Sequence, residues 1–448
     1  MDNDIQKERK NLEDLVQYAV EKAREMGATE SKVRISKATG LSVSCRNAEM
    51  ENVSFTNGRS MYIGVFKDDR KGGVSTSDLS HEAIDQSIMA ALSIARYTDL
   101  DVDSRLPDKD LLVKEEIDFN TFHPREVEPE ELFVSCRDLE AKAVKANPLI
   151  STVISARESA STNISAMANS LGFVKSEATT TYVRNLTLLC EKDGDKQYGS
   201  SYTYDSNYDA LFDDDFLLDE AINEGVNKLC PRKLATGDYP LILDVEQSSM
   251  LLNVLFAALD GHVQYYKTGF LSDSLGQQVM PSWLSIDENP HVYGKLSSCY
   301  MDADGVKTRP MSIIKNGVVQ EYFLNNYFSN KLKMKNNAHN RGVSNTFVTD
   351  SRGPIKSREE LIRQMDRGII VDDIMGNGIK LISGEVSVGA SGFYVENGQI
   401  QYPIAEFTIA GNFKDMFNGI VALANDGDSR NVADLGSVLI DNIKVAGV

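Results

Sequence analysis

Histidine is the side chain that most limits the metal chemistry open to this sequence. The 448 residues contain five histidines, and a zinc site usually takes two or three imidazoles together with carboxylates or thiolates. His81-Glu82 begins like the helix of a metalloprotease, but Asp85 and Gln86 stand where a second imidazole would have to reach the same ion. No two histidines therefore lie at a ligand spacing. The five are His81, His123, His262, His291 and His339.

Other signatures of catalysis are also missing from the sequence. It contains no G-x-S-x-G nucleophile elbow, no P-loop and no complete G-x-G-x-x-G. The five cysteines are widely spaced and none belongs to a C-x-x-C pair, which favours free thiols over a disulfide framework or a zinc ribbon. We therefore expect no catalytic residue, no metal site and no cofactor in this chain.

A glycine-rich hairpin over residues 383–406 is the segment best suited to bind a ligand. Its first strand runs into the turn dipeptide Asn397-Gly398 and a return strand. Glycines let another backbone approach closely, which favours a sheet edge that accepts an extended peptide by β-addition. A hairpin with a β-bulge is the alternative explanation of the same glycines, and local sequence alone slightly favours it. The residues predicted to bind peptide are Ser387, Val388, Gly389, Ala390, Ser391 and Gly392.

Helices and strands are mixed along the chain without a regular β-α-β alternation, which predicts an α+β fold. Apolar residues at helical spacing predict helices over residues 11–26, 80–96, 130–146, 216–229, 247–259 and 357–366. Alternating apolar residues predict strands between the helices. The predicted hairpin turns are Asn57-Gly58, Asn316-Gly317, Asn377-Gly378 and Asn397-Gly398.

Three regions can be distinguished by composition and pattern. Residues 1–100 form an N-terminal α/β domain, and residues 101–230 form a middle α+β region that begins with an acidic, proline-containing linker. Residues 231–448 form a larger, β-rich C-terminal domain. The first two regions each show a helix followed by strands, which suggests a weak duplication, but the pattern does not reveal the strand order.

The charge balance and the apolar runs exclude several classes of partner. The chain has 47 Lys+Arg against 66 Asp+Glu, a net charge of −19, which argues against broad binding to nucleic acid. The longest apolar run, residues 250–259, is far shorter than the roughly 20 residues of a membrane span. The first residues lack the apolar segment of a secretory signal. With its scattered thiols, the chain is expected to be cytoplasmic and to bind neither membrane nor nucleic acid.

Several runs in the second half resemble one protein family. They are Lys267–Gly276, Asp304–Thr308, Gly392–Gly398, Gln401–Pro403, Thr408–Asn412 and Asn425-Asp426. These runs are similar to the TldD/PmbA family, and more narrowly to its PmbA branch, also called TldE. The similarity covers nearly the whole chain and is densest from about residue 235 onward.

The resemblance implies a cytoplasmic protease of bacteria and archaea that acts on unfolded peptides or peptide precursors. In that family a TldD subunit holds zinc through an HExxxH helix and a later cysteine, and the PmbA/TldE subunit lacks these ligands. The two histidine positions fall here on Asn253 and Ala258, the glutamate position falls on Val254, and no cysteine follows Asp426. The resemblance therefore implies the non-catalytic subunit of a heterodimer whose zinc is held by a TldD-like partner.

Two other functions remain open at this level. The chain could be a self-sufficient metallopeptidase with an unrecognised carboxylate site among its 66 acidic residues. It could also be a regulatory protein-binding module that acts on DNA gyrase. An isolated chain that lacks its partner could pair with itself as a homodimer.

Overall fold

The first half of the chain builds one six-stranded antiparallel sheet from two similar units. The computed structural model describes residues 2–447, with side chains from residue 4 onward. The first unit consists of α1 (Asp2–Glu25), β1 (Glu30–Arg46), β2 (Glu49–Lys67), β3 (Arg70–Thr76) and α2 (His81–Ala95). The second consists of α3 (Pro129–Ala146), β4 (Ile150–Asn169), β5 (Phe173–Lys192), β6 (Asp195–Asp205) and α4 (Asp214–Asn227). The strand order is β3-β2-β1-β4-β5-β6, so β1 and β4 join the units at the centre.

All four helices pack on one face of this sheet because alternate strand residues are apolar there. Val33 and Ile35 of β1 contact the core formed with α1 and α2. Cys45, farther along the same strand, lies in a second core formed with α3 and α4. Successive residues of a strand point to opposite faces, and these three share odd numbers. The opposite face therefore carries the even-numbered residues of β1.

One predicted turn in the first unit is wrong. Asn57-Gly58 lies inside β2, opposite Thr39 and Ala38 of β1, and the hairpin turn is instead Asn47-Ala48, with φ angles of 55° and 57°. The buried carboxylate of Glu140 on α3 accepts hydrogen bonds from the backbone N–H groups of these two residues, at 2.7 and 2.8 Å. A contact with a distant helix thus selects a turn that local sequence does not favour.

The C-terminal half contains a closed ring of strands and a second, smaller sheet. The ring has the order β12-β7-β18-β15-β14, and β14 pairs back to β12; β13 pairs with β14, and β16 pairs with β18. The second sheet has the order β10-β9-β8-β11-β17. The strands are β7 (Gly237–Leu243), β8 (Leu284–Glu288), β9 (Met311–Lys315), β10 (Val318–Val319), β11 (Thr346–Asp350), β12 (Gly368–Met375), β13 (Ile379–Lys380), β14 (Glu385–Glu396), β15 (Gln399–Asn412), β16 (Ile420–Leu423), β17 (Ala433–Asp434) and β18 (Val438–Ala446).

Five helices accompany these strands, and together with the first half they confirm the predicted α+β fold. Asn316-Gly317 and Asn397-Gly398 are turns with positive φ, as predicted, whereas in the third predicted turn the positive φ falls on Gly376 and not on Asn377-Gly378. No helix within residues 2–447 has both the length and the apolar character needed to cross a membrane. The helices are α5 (Val245–Ala258), α6 (Gly261–Tyr266), α7 (Asn326–Leu332), α8 (Arg358–Met365) and α9 (Phe413–Asn418).

The helices predicted from the sequence are present with small shifts of their ends. The largest shift is in α1, which begins nine residues before the predicted residue 11, at Asp2. Its first residues are polar, so the apolar pattern does not reveal this extension. Ser80 and Ser357 cap α2 and α8 through side-chain oxygens that accept backbone N–H groups, as expected of serine at that position.

Candidate functional site

Helix α5 forms one wall of a large cavity in the C-terminal half. It begins at the N-cap Asp244, whose carboxylate accepts the N–H of Val245 at 2.6 Å. Leu251 and Leu252 lie four and three residues before Leu255, and all three are buried in the C-terminal core, as expected for an amphipathic helix. The opposite face of the helix is left to line the cavity.

The three positions where the resemblance places zinc-binding chemistry do not share this face. Asn253 is exposed and lines the cavity, whereas Val254 is 8% exposed and Ala258 is fully buried. Neither aliphatic side chain has a donor atom for a metal, and an amide oxygen alone is a weak zinc ligand. These residues do not fit a zinc ion. No cluster of three or more His, Cys, Asp or Glu residues within residues 2–447 could hold a metal ion.

The cavity itself is mostly apolar and has a volume of about 670 Å³. Phe256 and Ala257 of α5 form its helix side, and Phe323, Val343 and Leu381 come from other elements. Polar lining residues are fewer than apolar ones, and they are Ser249, Asn253, Asp260, His339 and Asn431. A concave, apolar site with a few convergent polar groups is the usual form of a ligand-binding site.

His339 lines this wall, and its side chain is buried and hydrogen-bonded. The sequence pattern did not predict these contacts. Its Nε2 lies 2.8 Å from a carboxylate oxygen of Glu288, and its Nδ1 lies 2.9 Å from the Oδ1 of Asn337. The Asn337 amide is oriented by its neighbours, because its Nδ2 donates to the carbonyl of Tyr322 at 2.8 Å and its Oδ1 accepts from the N–H of Leu324 at 2.8 Å. Both imidazole nitrogens therefore face acceptors.

The pair of His339 and Glu288 is buried, and the two side chains are only 4% and 3% exposed. A second bond fixes the Glu288 carboxylate, which accepts the N–H of Ser344 at 2.6 Å. Both ring nitrogens of His339 are therefore engaged by neighbouring side chains. No local spacing could have revealed this pair, since the partners are 51 residues apart.

The loop at 428–433 separates this cavity from a second one of about 320 Å³. Arg430 ties the loop to the middle region, donating to Glu220 at 2.8 Å and to the carbonyl of Tyr202 at 2.6 Å. The neighbouring Asn431 lines both cavities, and its Nδ2 is buried without a hydrogen-bond partner among the described residues. A buried donor without a partner is unfavourable by about 1–3 kcal/mol unless another group binds it.

The segment predicted to bind peptide is part of β14, one of the paired strands that form the ring. Every residue of Ser387–Gly392 except Ser391 is paired with β15 on one side, and Gly389–Gly392 are paired with β12 on the other. The N–H of Ser387 donates to the carbonyl of Gly378 at 2.9 Å. β-Addition along this segment would have to displace a neighbouring strand. That proposed mode of binding is therefore wrong for this arrangement, although peptide binding by the exposed side chains stays a prediction.

The glycines of this segment have a local structural explanation. The register of β14 against β15 shifts between Ala390 and Gly392, which is the bulge considered as the alternative. A Cβ added to Gly392 would lie 1.8 Å from the carbonyl oxygen of Ile370, so the neighbouring backbone leaves no room for a side chain. Val388 and Ala390 point into the core, at 3% and 0% exposure.

On the other face of the segment, Ser391 is linked through Asp372 to a lysine of the middle region. Ser391 donates to the carboxylate of Asp372 at 3.3 Å, and Asp372 forms an ion pair with Lys228, the C-cap residue of α4, at 3.2 Å. Burial raises the pKa of Asp372, and the nearby ammonium of Lys228 opposes that rise. This contact fixes β14 against α4.

Comparison with known proteins places this architecture in a family. Family models match in three stretches, described as PmbA/TldA metallopeptidase domain 1 (residues 32–95), the central domain (122–230) and the C-terminal domain (236–447). The metalloprotease PmbA of Escherichia coli O157:H7 is 36% identical over 444 residues, covering 99% of this chain and 98% of that protein. The chain belongs to the PmbA/TldD metallopeptidase family.

Two solved structures share the fold of this family member. A putative modulator of DNA gyrase from Bacteroides thetaiotaomicron superimposes with a TM-score of 0.90 at 22% identity, covering 97% of this chain and 98% of that one. TldE from Thermococcus kodakarensis gives a TM-score of 0.82 at 18% identity, covering 97% and 99%. At these identities the likeness concerns the fold. The family models and the identity to the Escherichia coli protein confirm the resemblance to the PmbA/TldD family inferred from the sequence.

Proposed function

We propose that this PmbA/TldD family member is the non-catalytic, peptide-binding subunit of a heterodimeric metallopeptidase whose zinc is held by a TldD-type partner. The observation that carries the proposal is the cavity face of α5. It presents Asn253, Phe256 and Ala257 to the cavity, while the other two motif positions, Val254 and Ala258, are buried in the core. The helix can shape a binding surface but offers no group that activates water.

The cavity suits an apolar side chain of an extended peptide. Phe256, Phe323 and Leu381 supply apolar walls, and the exposed side-chain amide of Asn253 supplies a hydrogen-bonding group for a peptide backbone. In a complex, such a site would hold substrate while the partner's metal centre cleaves it.

The first test compares the purified chain with its complex with a TldD-type zinc subunit. We expect the chain alone to contain no stoichiometric zinc and to leave an unfolded casein substrate intact, and the one-to-one complex to hydrolyse it. Zinc content by mass spectrometry and release of labelled fragments are the measurements. Stoichiometric zinc with hydrolysis by the chain alone would instead support a self-sufficient peptidase. A pull-down that recovers DNA gyrase but no TldD-type chain would support the regulatory alternative.

The second test fills the cavity without changing the rest of α5. Ala257→Trp places a large ring in the cavity, and we expect kcat/KM of the complex to fall about 10-fold or more, as for loss of an apolar subsite. Ala141→Trp, on the exposed face of α3, is the matched control and should leave kcat/KM unchanged. Equal rates for the two variants, with the complex intact by size-exclusion chromatography, would show that the cavity does not bind substrate.

A further inference from the structure

The outer edge of β2 is unpaired over half its length. β2 pairs with β1 from Glu49 to Phe66, but β3 covers only Met61–Lys67. Within the described part of the chain, no strand pairs with the outer side of residues 52–60. Almost every residue there is exposed, and the side chain of Phe55 reaches 72% exposure.

The backbone groups that face outward along this edge can be identified. The N–H of Thr29, just before β1, donates to the carbonyl of Phe66 at 2.8 Å, so Phe66 directs its backbone groups toward β1. Alternation along a strand then directs even-numbered residues toward β1 and odd-numbered residues outward. The register is unbroken down to Asn52, where it shifts by one residue. The outward residues are therefore Val53, Phe55, Asn57 and Arg59.

This edge lacks the features that normally prevent a sheet from pairing with another chain. Such edges are usually protected by lysine, proline, inward-pointing charges or a covering element. Residues 52–60 contain neither lysine nor proline, and Arg59 is their only charged residue. Arg59 forms no ion pair within the part of the chain whose side chains are described. An open edge of this kind is suited to a strand from another molecule.

We propose that this edge pairs with the same edge of a second copy of the chain, antiparallel about a two-fold axis at Phe55. Outward residues must meet outward residues, so the numbers of two facing residues must add up to an even number. Of the registers that meet this condition, only the one centred on Phe55 places the two Phe55 rings opposite each other. Centring on Phe55 stacks the two exposed rings and brings Glu51 of each copy level with Arg59 of the other. Centring on Val53 would place Phe55 opposite the charge of Glu51, and centring on Asn57 would place Phe55 opposite Arg59.

The proposed pairing makes about six backbone hydrogen bonds, two for each pair of outward residues that meet. It also makes an aromatic contact at the axis and two contacts between opposite charges, all of which stabilise cross-strand pairs. In the single chain, Glu51 has a loose ion pair with Arg46 at 3.7 Å and a long hydrogen bond from the Ser44 hydroxyl at 3.5 Å, both weak enough to be exchanged for Arg59 of the second copy. The result is one continuous sheet through both copies. This inference does not depend on the proposed partner function, and either can fail alone.

Disulfide trapping tests the register directly. Among the five cysteines Cys230 is exposed and the other four are buried, so Cys230→Ser provides the background. Phe55→Cys should give a cross-linked dimer on mild oxidation, because facing residues of a hydrogen-bonded pair lie about 5.5 Å apart, within disulfide range. Asn57→Cys is the matched control and should not cross-link, because its two copies would be about 13 Å apart along the strands. Cross-linking of Asn57→Cys alone, or of neither variant, overturns the proposal.

Exchanging the charges of Glu51 and Arg59 tests whether a second copy of the chain occupies the edge of β2. Arg59→Glu and Glu51→Arg should each weaken self-association by about 5-fold in sedimentation equilibrium, as expected for two exposed pairs, and the double variant should restore it. A monomer at all accessible concentrations overturns the proposal. So does the finding that the Phe55→Cys variant cross-links only to a substrate peptide or to a TldD-type partner, since the edge would then serve a different occupant.

Discussion

The two units of the N-terminal sheet have the same order of elements but differ in how they cover the edge of their long outer strand. In the second unit, β6 pairs with β5 from Tyr182 onward, and the preceding stretch is covered by the connection between the units. Thr180 donates its N–H to the carbonyl of Thr121 at 3.1 Å, and Lys175 forms an ion pair with Glu116 at 3.2 Å. The corresponding stretch of β2 has no such cover. The long outer strands β2 and β5 are of similar length. The open edge of β2 therefore results from the path of the connection between the units, which covers β5 and leaves β2 uncovered.

The largest effect is expected where the two units depend on each other. Glu140 of the second unit holds the hairpin turn of the first, accepting the N–H groups of Asn47 and Ala48 and a bond from the Cys45 thiol at 3.1 Å. Burial and the Glu140 carboxylate raise the pKa of Cys45 to about 12, so the thiol stays protonated and donates. Glu140→Ala should lower the free energy of unfolding by about 3–5 kcal/mol, since hydrogen bonds to a charged group are worth about 1.5–3 kcal/mol each.

Urea denaturation followed by circular dichroism measures this loss. Glu140→Gln is the matched control, because its amide oxygen can still accept one of the two N–H groups, and it should be destabilised less. If Glu140→Ala lost under about 1 kcal/mol, the Asn47-Ala48 turn would be stable without the second unit.

A second prediction concerns a feature that the units share. Each edge strand has a glycine beneath a helix: a Cβ on Gly72 would lie 1.9 Å from the carbonyl oxygen of Ala91, and one on Gly199 would lie 2.0 Å from that of Ala221. Gly72→Ala and Gly199→Ala should therefore each destabilise the protein by about 1–3 kcal/mol, because the helix must move away from the strand.

Gly58→Ala is the control for both glycine variants, because nothing lies within 4 Å of the added Cβ. It should leave the urea midpoint unchanged or raise it slightly. A large difference between the two edge variants would show that the similarity of the units is limited to their strand order.

The sequence predicted those parts of the fold that depend on neighbouring residues. The capped helices that follow Ser80 and Ser357 were located to within a residue or two, and Asn397-Gly398 was identified as the turn between β14 and β15. Each of these features depends on residues within about four positions of one another. The family resemblance also carried the expectation that α5 lacks zinc ligands.

What the sequence could not predict depends on contacts between distant residues. Asn57-Gly58 was taken for a turn because the carboxylate that fixes the true turn belongs to Glu140, on another unit. The pairing of β12 with β14 closes the ring and removes the free edge expected along Ser387–Gly392. The pair of His339 and Glu288 likewise forms only in the folded chain. No periodic pattern in the sequence records such contacts.

The smallest effect is expected from loosening the cover on β5, which would make the second unit resemble the first. The Thr180 hydroxyl is buried, donates to the carbonyl of Ser206 at 2.7 Å and accepts the N–H of His123 at 2.8 Å. Thr180→Val keeps the shape but leaves both backbone groups unpaired, which should cost about 1–2 kcal/mol. Hydrogen exchange at the Thr180 amide should then accelerate, because its acceptor Thr121 lies in the loosened segment. Thr179→Val, whose hydroxyl makes no hydrogen bond among the described side chains, is the control, and equal exchange in the two variants would show that the cover is held by other contacts.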